Sequence, residues 1–180
     1  MNHACLVLIR SLVAVAVAAA VESPSFAAAV ASDPGAGMAA RILALHNRER
    51  QAVGAPLLMW DPVLAAAAAT YGPTLASLGR LAHSPRESRP GQRENLSMGL
   101  VDRYGVDDLV DLWIEEKRHF QPGLFPFVSR TGNWKDVSHY TQMIWKSTTR
   151  VGCALHPANE RHYLICRYSP PGNADGRAVP

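Results

Sequence analysis

The sequence predicts an α+β fold built as one domain. Three helical stretches, each bounded by proline or glycine, precede the C-terminal third. Runs rich in aromatic and β-branched residues gather after residue 139. Two cysteines in that region, Cys153 and Cys166, are placed to face each other across a hairpin. Helices and strands in separate runs are the pattern of an α+β arrangement. A length of 180 residues gives one domain enough core to fold alone, and neither a repeat nor a linker divides it.

Residues 1–31 read as a secretory signal peptide. His3 and Arg10 carry modest positive charge, and Ser11 to Val21 is a run of small and apolar residues. Ser25-Phe26-Ala27 and Ala29-Val30-Ala31 are small-x-small cleavage sites. A transmembrane anchor is the competing reading, but a span needs about 20 apolar residues. No later run reaches that length, so the processed chain, residues 32–180, is expected not to be transmembrane. Removal of the signal takes Arg10 and Glu22 and leaves the net charge of +3 unchanged. That charge forms no basic run with interleaved aromatics, which argues against nucleic acid as a partner. Export, to a periplasm or out of the cell, sets an oxidising compartment.

After a short lead, Met38 to Val53 has helical spacing, with Ile42, Leu45 and Glu49 at i, i+3 and i+7. Asp33-Pro34 supplies a cap and a first-turn proline, and Gly54 and Pro56 end the helix. Asp61-Pro62 starts a second helix in the same way. Its Ala65 to Ala69 block suits close packing, Pro73 breaks it and Gly79 stops it. Pro85 to Arg93, with two prolines, one glycine and three arginines, reads as a solvated loop. Glu94 to Gly99 reads as a short strand or turn. Val106 to Phe120 is a third helix, with Leu109, Leu112, Trp113 and Glu116 along one side. Residues 121–136, with two prolines and two glycines, read as loop.

Tyr140 to Trp145, Arg150 to His156 and Arg161 to Tyr168 are the strand expectations. A hairpin turning at Ala158-Asn159-Glu160-Arg161 sets Cys153 and Cys166 equally far from its midpoint. Directly opposed Cβ atoms lie roughly 4.5–5.5 Å apart, close to bridging distance. Cys5 leaves with the signal, so these two form an even pair in an oxidising space. The expectation is a disulfide; the competing reading is two free buried thiols.

At His139-Tyr140-Thr141-Gln142-Met143-Ile144-Trp145-Lys146-Ser147-Thr148 the chain resembles the first signature of the CAP superfamily. That superfamily comprises cysteine-rich secretory proteins, antigen 5 and pathogenesis-related 1 proteins. Tyr163-Leu164-Ile165-Cys166-Arg167-Tyr168-Ser169-Pro170-Pro171-Gly172-Asn173 resembles the second signature. His46-Asn47-x-x-Arg50, Glu94-Asn95-Leu96 and Trp113-x-x-Glu116 fit the same family in order. The resemblance covers about residues 38–173, the core of a single SCP-like domain. It implies a three-layer α-β-α sandwich, with a small antiparallel sheet between helices and a cleft at one end. It also implies two histidines and two glutamates lining that cleft: His83, Glu94, Glu116 and His139. Two departures stand out. The loop between His83 and Glu94 is longer and richer in arginine than in plant members. The chain has one cysteine pair and no cysteine-rich extension, so the ion-channel activity of snake and sperm members has no basis here. The architecture is the minimal one of bacterial and fungal members.

Two imidazoles and two carboxylates suit a divalent metal, zinc or similar, provided the fold gathers four distant segments. Without metal, each glutamate can instead hold an imidazolium. Ser84 reads either as a nucleophile beside a histidine or as a capping hydroxyl, the latter the more ordinary use. His46, with Asn47 and Arg50, reads as a buried polar cluster fixing the first helix. Glu115 reads as solvated, Trp113, Trp145 and Tyr140 as core, and His156 and His162 as surface histidines; Glu49 has no evident partner. For function, the resemblance implies a secreted binding module with a groove for a small apolar ligand, a sterol or fatty acid. It also implies an envelope or host component as partner. Phe125 and Phe127, in the apolar loop 123–128, are the expected groove rim, with packing under the domain as the other reading. A metal-assisted hydrolase acting on peptide or cell-wall material is the alternative.

Overall fold

Residues 34–180, together with Met1, are described by the computed structural model of the protein. The expected signal peptide and the Asp33 cap lie outside the described residues. Among the described residues no helix is long and apolar enough to cross a membrane.

The first helix, α1, spans Pro34–Ala52 and starts at the expected proline. Strand β1 is Met59–Trp60 and helix α2 is Pro62–Ala69. The Asp61 side chain caps α2 by accepting from the backbone N–H groups of Val63 and Leu64. A short break precedes helix α3, Gly72–Leu78, which ends on Gly79 at φ 62°, a left-handed conformation that glycine adopts without a Cβ penalty. Strand β2 is Arg93–Leu100 and helix α4 is Val106–Ile114. The expected third helix is therefore shorter than its sequence pattern: a 3₁₀ turn, Glu115–His119, completes it. Leu112, expected on its inner side, is exposed instead.

Strand β3, Gly123–Leu124, is followed by helix α5, Ser138–Met143, strand β4, Arg150–Ala158, strand β5, Arg161–Ser169, and strand β6, Ala178–Val179. Helix α5 corrects the strand expected at Tyr140 to Trp145. Tyr140, Thr141, Gln142 and Met143 are all buried, so no polar side marks a helical period in the sequence. The Pro/Gly-rich tail is also more ordered than expected: β6 pairs antiparallel with β3, so structure runs past residue 173 to Val179.

The main sheet has the order β1-β4-β5-β2, antiparallel except for the short parallel pairing of β1 with β4. The β4–β5 hairpin turns through Asn159 and Glu160, both with positive φ, between Ala158 and Arg161 as expected. Cys153 opposes Cys166 in the register and the two form a disulfide, with Cα atoms 4.1 Å apart.

Side chains of β5 alternate between the two faces of the sheet. Leu164, Cys166 and Tyr168 join Ile42 of α1, Trp113 of α4 and Met143 of α5 in one core. Tyr163 and Ile165 join Ala68 of α2, Leu75 of α3 and Leu96 in another. The sheet thus lies between two helical layers, a three-layer α-β-α sandwich. A third apolar cluster packs Tyr140, Ile144 and Trp145 against Phe120, Phe125 and Val179, beside α5.

Candidate functional site

A cavity of about 770 Å³ opens where β2, α5 and the tail meet, and His83, Glu94 and His139 are among its lining residues. Glu94 is the second residue of β2, and its side chain points into a nest of donors. Its Oε1 accepts from the ring Nδ1 of His83 at 2.9 Å and from the backbone N–H of Ser84 at 3.0 Å. Its Oε2 accepts from the Ser84 hydroxyl at 3.0 Å and pairs with the Arg167 guanidinium at 3.0 Å. Burial by itself pushes the Glu94 carboxyl up. The contacts from His83, Arg167 and Ser84 together outweigh it and hold the group below its ordinary range.

Glu116 and His139 form a second pair by the same logic. Glu116 sits on the 3₁₀ turn after α4, and His139 is the second residue of α5. Oε2 of Glu116 accepts the backbone N–H groups of His139 and Tyr140, at 2.9 and 3.0 Å. Its Oε1 accepts from His139 Nδ1 at 2.6 Å. The carboxylate thus occupies donors at the start of α5 that lack intrahelical partners. Trp113 stacks on the His139 ring, with centroids 6.1 Å apart and planes 16° from parallel. The turn carrying Glu116 is itself gripped by α1: the next residue, Lys117, donates to Glu49 at 2.9 Å. Glu49, without an evident partner in the sequence, therefore helps to position the second pair.

The four expected residues are gathered from distant segments, but as two histidine–glutamate pairs and not as one shell of four ligands. Among the described residues, no group of three or more His, Cys, Asp or Glu side chains is arranged to hold a metal ion. The physical reason is that both carboxylates are saturated by histidine, backbone, hydroxyl or guanidinium donors. A carboxylate acceptor places the proton on each Nδ1, which leaves the Nε2 lone pairs of His83 and His139 without a hydrogen-bond partner among the described residues.

Several residues that hold the site were not singled out from the sequence. Asn95 donates to the carbonyl of His139 at 3.1 Å and to the Tyr168 hydroxyl at 3.2 Å. Strand alternation was the signal for it, since Asn95 must face opposite to Glu94. Asn173 donates to the Ser138 carbonyl and accepts from Thr141, at 2.8 Å each, and so ties the tail to α5. Arg89 corrects the reading of the 85–93 loop as wholly solvated: it is buried and donates to the Ser84 hydroxyl at 3.0 Å. Ser84 lies between that guanidinium and Glu94, an ordinary structural use of its hydroxyl.

The two expected rim residues part company. Phe125 is 3 % exposed, packs edge-on against Trp134 and Trp145, and lines the cavity. Phe127 is 81 % exposed and is not among the lining residues, because the tight turn between Leu124 and Val128 aims it outward. His156 and His162 are half-buried at the far end of the hairpin, and His162 contacts the Tyr104 carbonyl at 2.9 Å. His46 is fully buried, bonding the Ile42 carbonyl and the Tyr168 hydroxyl, each at 2.8 Å.

Comparison with known proteins agrees with this architecture. Residues 43–168 match the model of the cysteine-rich secretory protein family, CAP. The chain is 35% identical over 133 residues to a pathogenesis-related protein of the PR-1 type from Sambucus nigra, covering 73% of this chain and 75% of that one. It is 34% identical over 134 residues to pathogenesis-related protein 1C from Nicotiana tabacum, covering 74% and 75%. Among solved structures, the crystal structure of NaASP2 with Zn2+ shares the fold at a TM-score of 0.67 and 23% identity, over 82% of this chain and 87% of that one. The chain belongs to the cysteine-rich secretory protein (CAP) family.

Proposed function

We propose that the protein is an exported binding module whose cleft holds a divalent metal between His83 and His139 and takes a small apolar ligand along its aromatic wall. One observation carries the metal reading: each histidine has Nδ1 locked by its own glutamate, so Nε2 is the available ligand atom. This is the carboxylate–histidine arrangement that orients metal-binding imidazoles. The glutamates serve as orienting groups, not ligands. Two protein nitrogens then leave several positions to water, so binding is weaker than at a three-ligand site. When bound, a divalent ion supplies a Lewis acid to whatever ligand enters. NaASP2, described with Zn2+, shares the fold and supports the choice of ion class. Phe125, Pro126 and Trp134 supply the apolar wall. A disulfide forms and persists in oxidising surroundings, which supports export.

The hydrolase alternative has less behind it. A general base needs a carboxylate oxygen free to take a proton from water, and both glutamates are fully engaged. Ser84 donates to Glu94 and not to a histidine.

Native mass spectrometry of protein purified without added metal tests the proposal. A retained or readily loaded divalent ion is expected, lost in the His83→Ala/His139→Ala variant. Equal loading of wild type and the double variant would contradict it. Glu116→Gln should weaken metal binding by about 10–100-fold without abolishing it.

A further inference from the structure

The lining of the cleft carries more positive charge than the protein neutralises. Arg86, Arg89, Arg93 and Lys135 all line it, against the two carboxylates Glu94 and Asp175. Glu94 is already paired with Arg167 and with His83. Among the described residues, Arg86, Arg93 and Lys135 form no ion pair, and neither Arg86 nor Lys135 makes a side-chain hydrogen bond. Like charges gathered at a concave surface repel one another, and a low-dielectric wall strengthens the repulsion. Burial, then the nearby charges of Arg86 and Arg89, push the Arg93 guanidinium below its ordinary value.

Arg93 is also held in place. Its Nε donates to the Gly172 carbonyl at 2.9 Å and its Nη2 to the Asn173 carbonyl at 3.2 Å, which leaves Nη1 uncommitted. A guanidinium fixed by two carbonyls loses little conformational freedom when it meets an anion. Arg86 and Lys135, both exposed, are free to close over it. Three of these cations come from the loop between His83 and Glu94 and its junction with β2.

We propose that Arg86, Arg93 and Lys135 form an anion subsite of the cleft that takes a phosphate monoester, next to the two histidines. A dianionic phosphate matches several unpaired cations better than a single carboxylate does, and guanidinium geometry suits its oxygens. The proposal rests on the reading above only in placing the ligand in the same cavity; it needs no metal. The phosphate belongs either to a soluble ester or to a lipid headgroup.

The test uses chelator-treated protein and inorganic phosphate, titrated by calorimetry at low ionic strength. Saturable binding is expected, weakening with added salt. The Arg86→Gln/Lys135→Gln variant should lose roughly tenfold or more in affinity, as for charge-assisted hydrogen bonds removed. Both replaced side chains are exposed and make no hydrogen bond or ion pair among the described residues, so its thermal stability should match wild type; Arg93→Gln, which releases the tail, is the second variant. Absence of saturable phosphate binding, or equal affinity in the double variant, overturns the subsite. Zinc binding of the double variant should be unchanged. Wild-type protein that binds zinc but not phosphate therefore counts against this subsite alone, and wild-type protein that binds phosphate but not zinc counts against the histidine pair alone. Retention on phosphatidylcholine vesicles only when they contain phosphatidic acid assigns the headgroup; phosphate binding without retention assigns the soluble ester.

Discussion

His46 shows how one buried side chain sets the acid limit of the fold. It is fully buried between the Ile42 carbonyl and the Tyr168 hydroxyl. Burial, opposed by the Ile42 carbonyl and reinforced by Arg50, pushes its pKa from 6.5 down to about 4. The folded chain therefore holds it neutral where the unfolded chain takes up a proton. Stability is full above pH 6.5 and falls as pH drops toward about 4, by on the order of 3 kcal/mol in all. Urea midpoints measured across that window should decline in wild type and stay nearly flat in His46→Gln, which is less stable at neutral pH. The same slope in both would contradict this. Glu94, held below its ordinary 4.5, adds its own loss as pH falls below that value, at the acid end of the His46 window. Of the four residues expected to line the cleft, His83, Glu94 and His139 do so and Glu116 does not, reaching it only through His139; the pairing was not legible. His83 and Glu94, like Glu116 and His139, meet through tertiary contacts that no spacing encodes.

At the scale of elements, the hairpin was legible because its turn residues and cysteines agree on one register. Breaking the disulfide with Cys153→Ser/Cys166→Ser should cost about 3 kcal/mol, or roughly 6–12 °C in Tm; an unchanged Tm would show that the clamp contributes nothing. Close packing of α2 on the sheet was hinted at by the Ala65 to Ala69 block. Gly152 supplies the other half: a Cβ there would overlap the Ala65 nitrogen and the Asp61 carbonyl oxygen. Backbone offers less relief than a side chain, so Gly152→Ala should destabilise by about 3 kcal/mol, the upper end for overpacking. Thermal melts check it, and a wild-type Tm would mean that α2 shifts freely. Helix α5 was not legible. Its six residues are too few for a period, and its burial is tertiary: Met143 enters the core of Ile42 and Trp113, Tyr140 that of Phe120 and Phe125, and Arg50 of α1 donates to the Met143, Trp145 and Thr148 carbonyls at 2.9 Å each.

For the whole molecule, the sandwich exists to bring three loose ends to one place. The 3₁₀ turn after α4 delivers Glu116, α5 delivers His139, and β2 delivers Glu94 beneath His83. Asn95 and Asn173 lash α5 to the sheet and to the tail, so His139 shares one cavity with His83 and Glu94. The family signatures foretold the layers. The pairing inside the cleft needed coordinates, since a sequence does not show which glutamate holds which histidine. The central claim is that each cleft histidine is held in one tautomer with Nε2 open. Long-range proton–nitrogen NMR of the imidazole rings tests it most directly. The account predicts His83 and His139 with the proton on Nδ1 at neutral pH, and zinc-induced shifts at their Nε2 atoms but not at His46. A proton on Nε2 of either ring, or zinc shifts that spare both, would contradict it.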